Sequence, residues 1–173
     1  MSEPDDKCAT PDRSMDADIR PHGIGDMAYV VHRHAVLYHQ EYGFDASFEV
    51  LVARVAADFI ERYDPAVDCS RLAEIDGRIA GSAFVVHGSD RVAKLRLVYL
   101  EPSARGSGLG RRLVDSCMEF ARGAGYARMT LATHDILLPA RRLYTRLGFV
   151  RTNAEPVHNF GRQMLDETWE RDL

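Results

Sequence analysis

The sequence predicts an α/β fold of the mixed, α+β kind, with about seven strands in one sheet flanked by about four helices. Three observations carry this reading. Two helical stretches follow one another before any long strand, a hairpin is signalled at Asp76-Gly77, and beyond Leu100 strand and helix patterns alternate, which favours a partly parallel sheet. A chain of 173 residues, 46% hydrophobic and 28% charged, has room for one core and not for two full domains.

Residues 1–17 are rich in Asp, Pro and Ser and nearly devoid of large apolar side chains, so they are expected to form a disordered tail, leaving 18–173 as the folded domain. Asp18 to Pro21 reads as a short edge strand closed by proline. From Asp26, expected as an N-cap, to Tyr42, the residues Val30, Val31, Ala35, Val36, Leu37 and Tyr38 recur at near-helical spacing until Gly43 stops the run. A second helix is predicted from Ala46 to Tyr63, ahead of Asp64-Pro65. Leu72–Ile75 and Ile79–Val86 flank Asp76-Gly77, a dipeptide that accepts the positive φ values of a tight turn. Val92–Leu100 is β-branched and apolar with no helical stripe. Gly108 to Gly123 is amphipathic, carrying Leu109, Leu113, Cys117 and Phe120 on one stripe. Met129–Thr133 is a short strand, and Asp135 is placed to cap a helix through Leu147, with Pro139 in its first turn and Gly148 beyond its end. Phe149–Val157 and Arg162–Asp172 supply the closing strands.

The net charge of −4 gives no overall positive field, so neither nucleic acid nor an anionic membrane surface is an expected partner. Cys8, Cys69 and Cys117 are odd in number and far apart, matching neither a disulfide framework nor a zinc spacing. His32 and His34, two residues apart, point to different sides of a helix, and no metal is expected. The N-terminus lacks the apolar core of a signal peptide, and Arg54, Asp58 and Glu61 interrupt the long apolar stretch, so a cytoplasmic protein is expected.

The chemistry concentrates where the strand ending at Leu100 turns at Pro102 and enters a helix through Arg105-Gly106-Ser107-Gly108-Leu109-Gly110. Glycine lets a backbone approach a ligand closely, and the first N–H groups of a helix favour an anion. Arg105, Arg111 and Arg112 would be poorly placed at a helix N-terminus without one, and the combination reads as a pyrophosphate cradle. A Walker loop needs Lys and then Ser or Thr where Arg111 and Arg112 stand, and the dinucleotide fingerprint needs Gly or Ala at Arg111. Both fail. Taken alone, three glycines fit an unliganded turn equally well.

These residues resemble the signature of the GNAT superfamily of acyl-CoA N-acyltransferases, which is Arg or Gln, two residues, Gly, one residue, then Gly or Ala, met here by Arg105, Gly108 and Gly110. Downstream, Ala140, Leu143, Tyr144, Gly148 and Phe149 are similar to the family's Ala-x-x-Leu-Tyr-x-x-x-Gly-Phe segment. The resemblance runs from Ile19 to the C-terminus. More narrowly, His34 to Gly43 resembles GNAT domains fused to winged-helix regulators of the MarR type.

The resemblance implies a centrally splayed sheet and acetyl-CoA as cosubstrate, without a metal. Leu97, Val98 and Tyr99 would offer backbone groups to the pantetheine arm, one N–H stabilising the oxyanion. Arg105, Gly106, Ser107, Gly108, Leu109 and Gly110 would hold the pyrophosphate, and Tyr144 would bind near the sulfur and protonate the departing thiolate. By spacing alone, Tyr144 reads as a core residue of its helix. No motif identifies the base, for which Glu41, Tyr42, Glu74, His134 and water stand open. Many relatives place Asn where Leu137 stands, removing a polar contact to the cofactor. The implied function is direct transfer of acetyl to a primary amine of a small molecule or peptide, aminoglycosides included. The alternative is a non-catalytic acetyl-CoA-binding regulatory module. Association into a homodimer is left open.

Overall fold

The computed structural model describes residues 16–173, built in the order β1 (Asp18–Arg20), α1 (Asp26–Tyr42), α2 (Ala46–Arg62), β2 (Cys69–Ile75), β3 (Arg78–Ser89), β4 (Val92–Leu100), α3 (Leu109–Gly123), β5 (Arg128–His134), α4 (Leu138–Arg146), β6 (Val150–Asn159) and β7 (Arg162–Asp172). The tail expected over 1–17 lies outside the described residues as far as residue 15. Its last residue does not follow the expectation: Ala17 is buried in the core, and its carbonyl accepts a hydrogen bond from Arg112 at 2.8 Å.

The seven strands form one sheet in the order β1-β2-β3-β4-β5-β7-β6. Every neighbouring pair is antiparallel except β4 and β5, which run parallel over three residue pairs, Val92 with Arg128, Ala93 with Met129 and Lys94 with Thr130. Beyond Lys94 the two strands part, and the sheet is splayed at its centre.

Strand periodicity sorts side chains onto the two faces. Ala73, Ala83 and Val85 join the cluster built on α3 through Leu109, Leu113, Val114 and Cys117. Their neighbours Leu72 and Phe84 pack instead with Val30 and Leu37 of α1 and Ala56 and Phe59 of α2. Each Val, Leu or Phe side chain among them contributes about 1.5–3 kcal/mol when fully buried. The hairpin between β2 and β3 turns as its sequence dictates, with φ of 50° at Asp76 and 72° at Gly77.

Two expected caps do other work. Gly25 is the N-cap of α1, while the Asp26 carboxylate accepts from Gly23 N–H at 2.7 Å and from the Arg20 guanidinium at 2.6 Å, which holds its pKa below the ordinary carboxylate value. Asp135 accepts from the Leu165 N–H of β7 at 2.8 Å, so α4 starts three residues later, behind Leu137 with no side-chain cap. In both places a partner from outside the helix captures the carboxylate.

Beneath α4 lies Glu167 of β7, with no exposed surface. Its carboxylate accepts from Arg141 of α4 at 3.1 Å, Arg151 of β6 at 2.9 Å and the Trp169 indole N–H at 2.9 Å. A buried charge is tolerated only when paired, so this side chain binds α4 and β6 to the sheet. Replacing Arg141 or Arg151 by Ala should each cost about 1–3 kcal/mol of stability, and both together more than the sum, because the second guanidinium alone carries the charge after the first is lost. Urea denaturation of the three variants measures this, and strict additivity would mean that Glu167 is not held as an ion pair.

Candidate active site

The site grows out of the splay. Leu97 of β4 has a φ of 49°, and the pairing with β3 shifts there, Ser82 facing Tyr99 and Phe84 facing Arg96, so β4 carries one extra residue. Such a bulge bends a strand and re-aims its peptide groups. Ser82 Oγ donates to the Leu97 carbonyl at 2.6 Å and fixes the distortion from the β3 side. On its other side, Leu97-Val98-Tyr99 has no strand beside it, and its peptide groups there lack ladder partners.

After β4 a single helical turn, Pro102–Ala104, leads to Arg105 and then to Gly106 and Gly108 with φ of 77° and 80°. Ser107 Oγ donates to the Ala104 carbonyl at 2.7 Å and braces the loop. A Cβ placed on Gly106 or Gly108 would meet no protein atom within 4 Å, whereas one on Gly110 would press on Leu100 at 3.0 Å and Leu143 at 3.4 Å. The first two glycines therefore leave open space in front of the backbone, and the third lets α3 pack against β4 and α4. The first N–H groups of α3 have no acceptor within the helix and favour an anion.

A cavity of about 690 Å³ runs from this loop into the splay. Its walls are Leu37, Tyr38, Glu41 and Tyr42 of α1, Val98, Tyr99 and Leu100 of β4, and Pro139, Ala140, Arg142, Leu143 and Arg146 of α4, with Leu137 and Leu147 at the ends of that helix. Of the residues singled out by the sequence, Val98, Tyr99, Arg105, Gly106, Gly108 and Gly110 line it. Leu97, Ser107, Leu109 and Tyr144 do not line it; Leu109 is in the core, and the buried Tyr144 ring lies edge-on to Phe149 at 5.9 Å.

Charge gathers at the loop end. Arg105 reaches Glu41 through both guanidinium nitrogens, at 2.9 and 2.7 Å, and also donates to the Leu100 carbonyl at 3.3 Å. Arg33 grips Glu101 in the same forked manner at 2.6 and 2.8 Å, so α1 is tied to the loop at two points. Arg142 and Arg146, one turn apart on α4 and both exposed, have no carboxylate partner among the described residues. Sequence reasoning missed this pair, although two arginines spaced i, i+4 beside Tyr144 are a legible sign of an anion nearby.

The inner end is uncharged. Burial pushes the phenols of Tyr38, Tyr99 and Tyr144 well above the ordinary value, and the buried Tyr99 hydroxyl has no hydrogen-bond partner. His34, stacked beside Tyr38 and edge-on to Tyr99, bonds the Val30 carbonyl through Nδ1 at 2.9 Å, and burial lowers its pKa to about 4. His32 is exposed, and no cluster of His, Cys, Asp and Glu fit for a metal occurs among the described residues. Cys69 and Cys117 are free and buried.

The base candidates separate by position. Glu41 is engaged by Arg105, and Glu74 pairs with Arg20 at 2.8 Å on the β1–β2 edge, away from the cavity. Burial raises the phenol of Tyr42. His134 sits at the end of β5, where the splay opens, 6.0 Å from the Phe44 ring and 5.7 Å from that of Phe160. Burial holds its imidazole below the ordinary value against the opposing pull of Asp166, Asp135 and Glu167.

Residues 32–149 match the family model of the acetyltransferase (GNAT) family. The chain is 32% identical over 124 residues to an uncharacterized N-acetyltransferase of Schizosaccharomyces pombe, covering 70% of this chain and 74% of that relative. To a mycothiol acetyltransferase of an Arthrobacter species it is 32% identical over 131 residues, 72% of this chain but 38% of the relative. Among solved structures, a GNAT-family acetyltransferase of Staphylococcus aureus Mu50 superposes with a TM-score of 0.74 at 13% identity, covering 91% of this chain and 99% of that one. The protein yncA of Salmonella typhimurium, solved with its cofactor acetyl-CoA, gives 0.69 at 24% identity over 91% and 94%. These two likenesses concern the fold. No helix among the described residues is long and apolar enough to cross a membrane. With the glycine loop, the splay and the α4 motif all inside the matched span, the chain belongs to the acetyltransferase (GNAT) family.

Proposed function

We propose that this chain transfers acetyl from acetyl-CoA directly to a primary amine of a small molecule. The observation that carries the reading is the cavity, which begins at a glycine loop with arginines beside it and ends along the unpaired edge of β4. The shape fits a cosubstrate that is polyanionic at one end and a neutral thioester at the other. Gly106, Gly108 and the first N–H groups of α3 would hold the pyrophosphate, with Arg105, Arg111, Arg142 and Arg146 supplying counter-charge. Peptide groups of Leu97, Val98 and Tyr99 would align the pantetheine and stabilise the oxyanion. When bound, the thioester supplies an activated acyl group, so no covalent enzyme intermediate is needed.

His134 is proposed to take a proton from the incoming ammonium so that the free amine attacks, and Tyr144 to protonate the leaving thiolate, the tyrosinate regaining a proton from the nitrogen as the amide forms. Burial keeps the Tyr144 phenol protonated and the His134 imidazole neutral, which are the states these roles demand. Tyr38 is the competing donor, since its side chain lines the cavity and that of Tyr144 does not. The likeness of α1 to MarR-fused domains favours a second reading, an acetyl-CoA-binding regulatory module; release of free thiol with any amine decides against it. The free, buried Cys69 and Cys117 suit a reducing cytoplasm.

Gly108→Val should lower acetyl-CoA affinity at least tenfold by calorimetry in a folded variant, because the side chain projects into open space in front of the loop. Unchanged affinity would remove the pyrophosphate from this loop. Tyr144→Phe should lower kcat at least tenfold with near-normal acetyl-CoA affinity, general acids commonly contributing about 10²–10⁴-fold. If Tyr38→Phe shows that loss and Tyr144→Phe does not, the donor is Tyr38. A neutral His134 accepts a proton and a cationic one cannot, so kcat/KM should hold through neutral pH and fall only below the ordinary imidazole value of 6.5. In His134→Gln that acidic limb should vanish along with most of the rate; a wild-type limb retained in the variant belongs to another group.

A further inference from the structure

The turn joining β6 to β7 contains a residue that local backbone preference does not explain. Asn159 pairs with Arg162, and the two residues between them, Phe160 and Gly161, have φ of 55° and 76°. The same geometry occurs in the β2–β3 turn, where the first position holds Asp76 at 50° before Gly77 at 72°. A short polar side chain tolerates that conformation, whereas for a bulky one it is an outlier. Outliers that persist are held by what surrounds them.

What surrounds Phe160 is a cluster of rings. Its own ring lies 5.1 Å from that of Phe44, 5.1 Å from Phe48 and 5.7 Å from His134. The backbone is pinned as well: the Phe160 carbonyl accepts from Asp45 N–H at 3.1 Å, and the Arg162 guanidinium donates to the Tyr42 carbonyl. The hairpin tip is thus stapled to the link between α1 and α2. Phe44, Phe48 and Met164 form a buried floor, while Tyr42, Phe160 and His134 form a rim that solvent still reaches.

This cluster begins where the cofactor cavity ends, because Tyr38, Tyr42 and Leu137 belong to both. An amine attacking a thioester at the inner end of that cavity would lie with its body against the rim of these rings. The ring cluster itself carries no carboxylate for a second cation. Glu41 is held by Arg105, Asp135 and Asp45 accept from the Leu165 N–H and Ser47 outside the ring cluster, and Asp166 stands opposite His134 in the β5–β7 pairing.

We infer that the acceptor is a monoamine with an aromatic or similarly apolar body, and that Phe160, held at the hairpin tip against Phe44 and His134, is the residue that selects it. The inference rests on the acetyl-transfer reading above. The aromatic faces receive the apolar body, and they tolerate a single ammonium through their negative ring faces. A polyamine or an aminoglycoside, with several ammonium groups, would find no carboxylate on the aromatic rim itself.

The test compares 2-phenylethylamine, spermidine and kanamycin as acceptors at saturating acetyl-CoA, in the wild type, Phe160→Asn and Phe160→Leu. The wild type should show kcat/KM for 2-phenylethylamine at least tenfold above that for the other two. Phe160→Asn suits the positive φ and removes the ring, so it should keep the unfolding temperature and the KM for acetyl-CoA while raising the KM for 2-phenylethylamine at least tenfold. Phe160→Leu, which retains apolar bulk, should recover part of that loss. Preference of the wild type for spermidine or kanamycin overturns the inference, as does an unchanged acceptor KM in Phe160→Asn. A rise in both KM values together in that variant also overturns it, since it marks a structural role alone. Acetyl-CoA bound without turnover of any amine overturns the transfer reading itself, an outcome distinct from these.

Discussion

The parting of β4 from β5 after three paired residues sets the terms for the rest of the molecule. A strand edge buried without partners is costly, because each peptide group left unmatched forfeits its hydrogen bond. Part of the demand is met from within. Ser82 Oγ caps the Leu97 carbonyl, and Arg105 caps that of Leu100. What is left on the open side is a row of peptide groups lining a cavity. In that sense the proposed ligand site is the remainder of the sheet's own hydrogen-bond ladder, and the bulge at Leu97 bends the strand that carries it.

Holding such a gap open requires that both flanks be braced, and the braces are ionic. On one side α1 is fastened to the loop by Arg33 with Glu101 and by Arg105 with Glu41, each through two hydrogen bonds. On the other, α4 is fastened to β7 by Arg141 with the buried Glu167. The two braces differ in character. Glu167 has no access to water, so its pairing is obligatory, whereas the Arg105–Glu41 pair lines the cavity and is part-exposed, so an anion bound there would compete for Arg105.

How much of this was legible in the sequence depends on how far apart the partners lie. Asp76-Gly77 showed its turn because the determinant is two adjacent residues, and the Arg105–Gly110 loop showed itself through spacing within one segment. The bounds of α1, β4 and β7 followed from periodicity and punctuation. Asp26 and Asp135 read as caps because a cap is the local use of an aspartate, yet Arg20 and the Leu165 N–H claim them. Glu41 was weighed as a base with no means of seeing Arg105, 64 residues away. The bulge at Leu97 was hidden inside a stretch that reads as a regular strand. Phe160 fell in an unassigned turn, where its conformation, and therefore its oddity, had no trace in residue type alone.

The charge distribution of the finished site follows from burial. Loss of water raises the phenols of Tyr38 and Tyr99, which line the cavity, and that of Tyr144, which does not, and it lowers the imidazoles of His34 and His134 nearby. Both shifts favour the uncharged form, since desolvation penalises whichever state carries charge. These phenols and imidazoles are thereby biased toward the forms in which a hydroxyl donates and an imidazole nitrogen accepts. A phenol is a weak acid toward an ordinary thiolate, its unperturbed pKa of about 10 lying above about 8.5 for a thiol, but a thiolate expelled into the same dry wall is destabilised too, which brings the two closer. The arginines, by contrast, are confined to the loop and the outer turns of α4. One cavity thus gathers its arginines at the mouth and its phenols farther in, a gradient that would orient a ligand whose charge lies at one end before any side chain touched its reacting atoms.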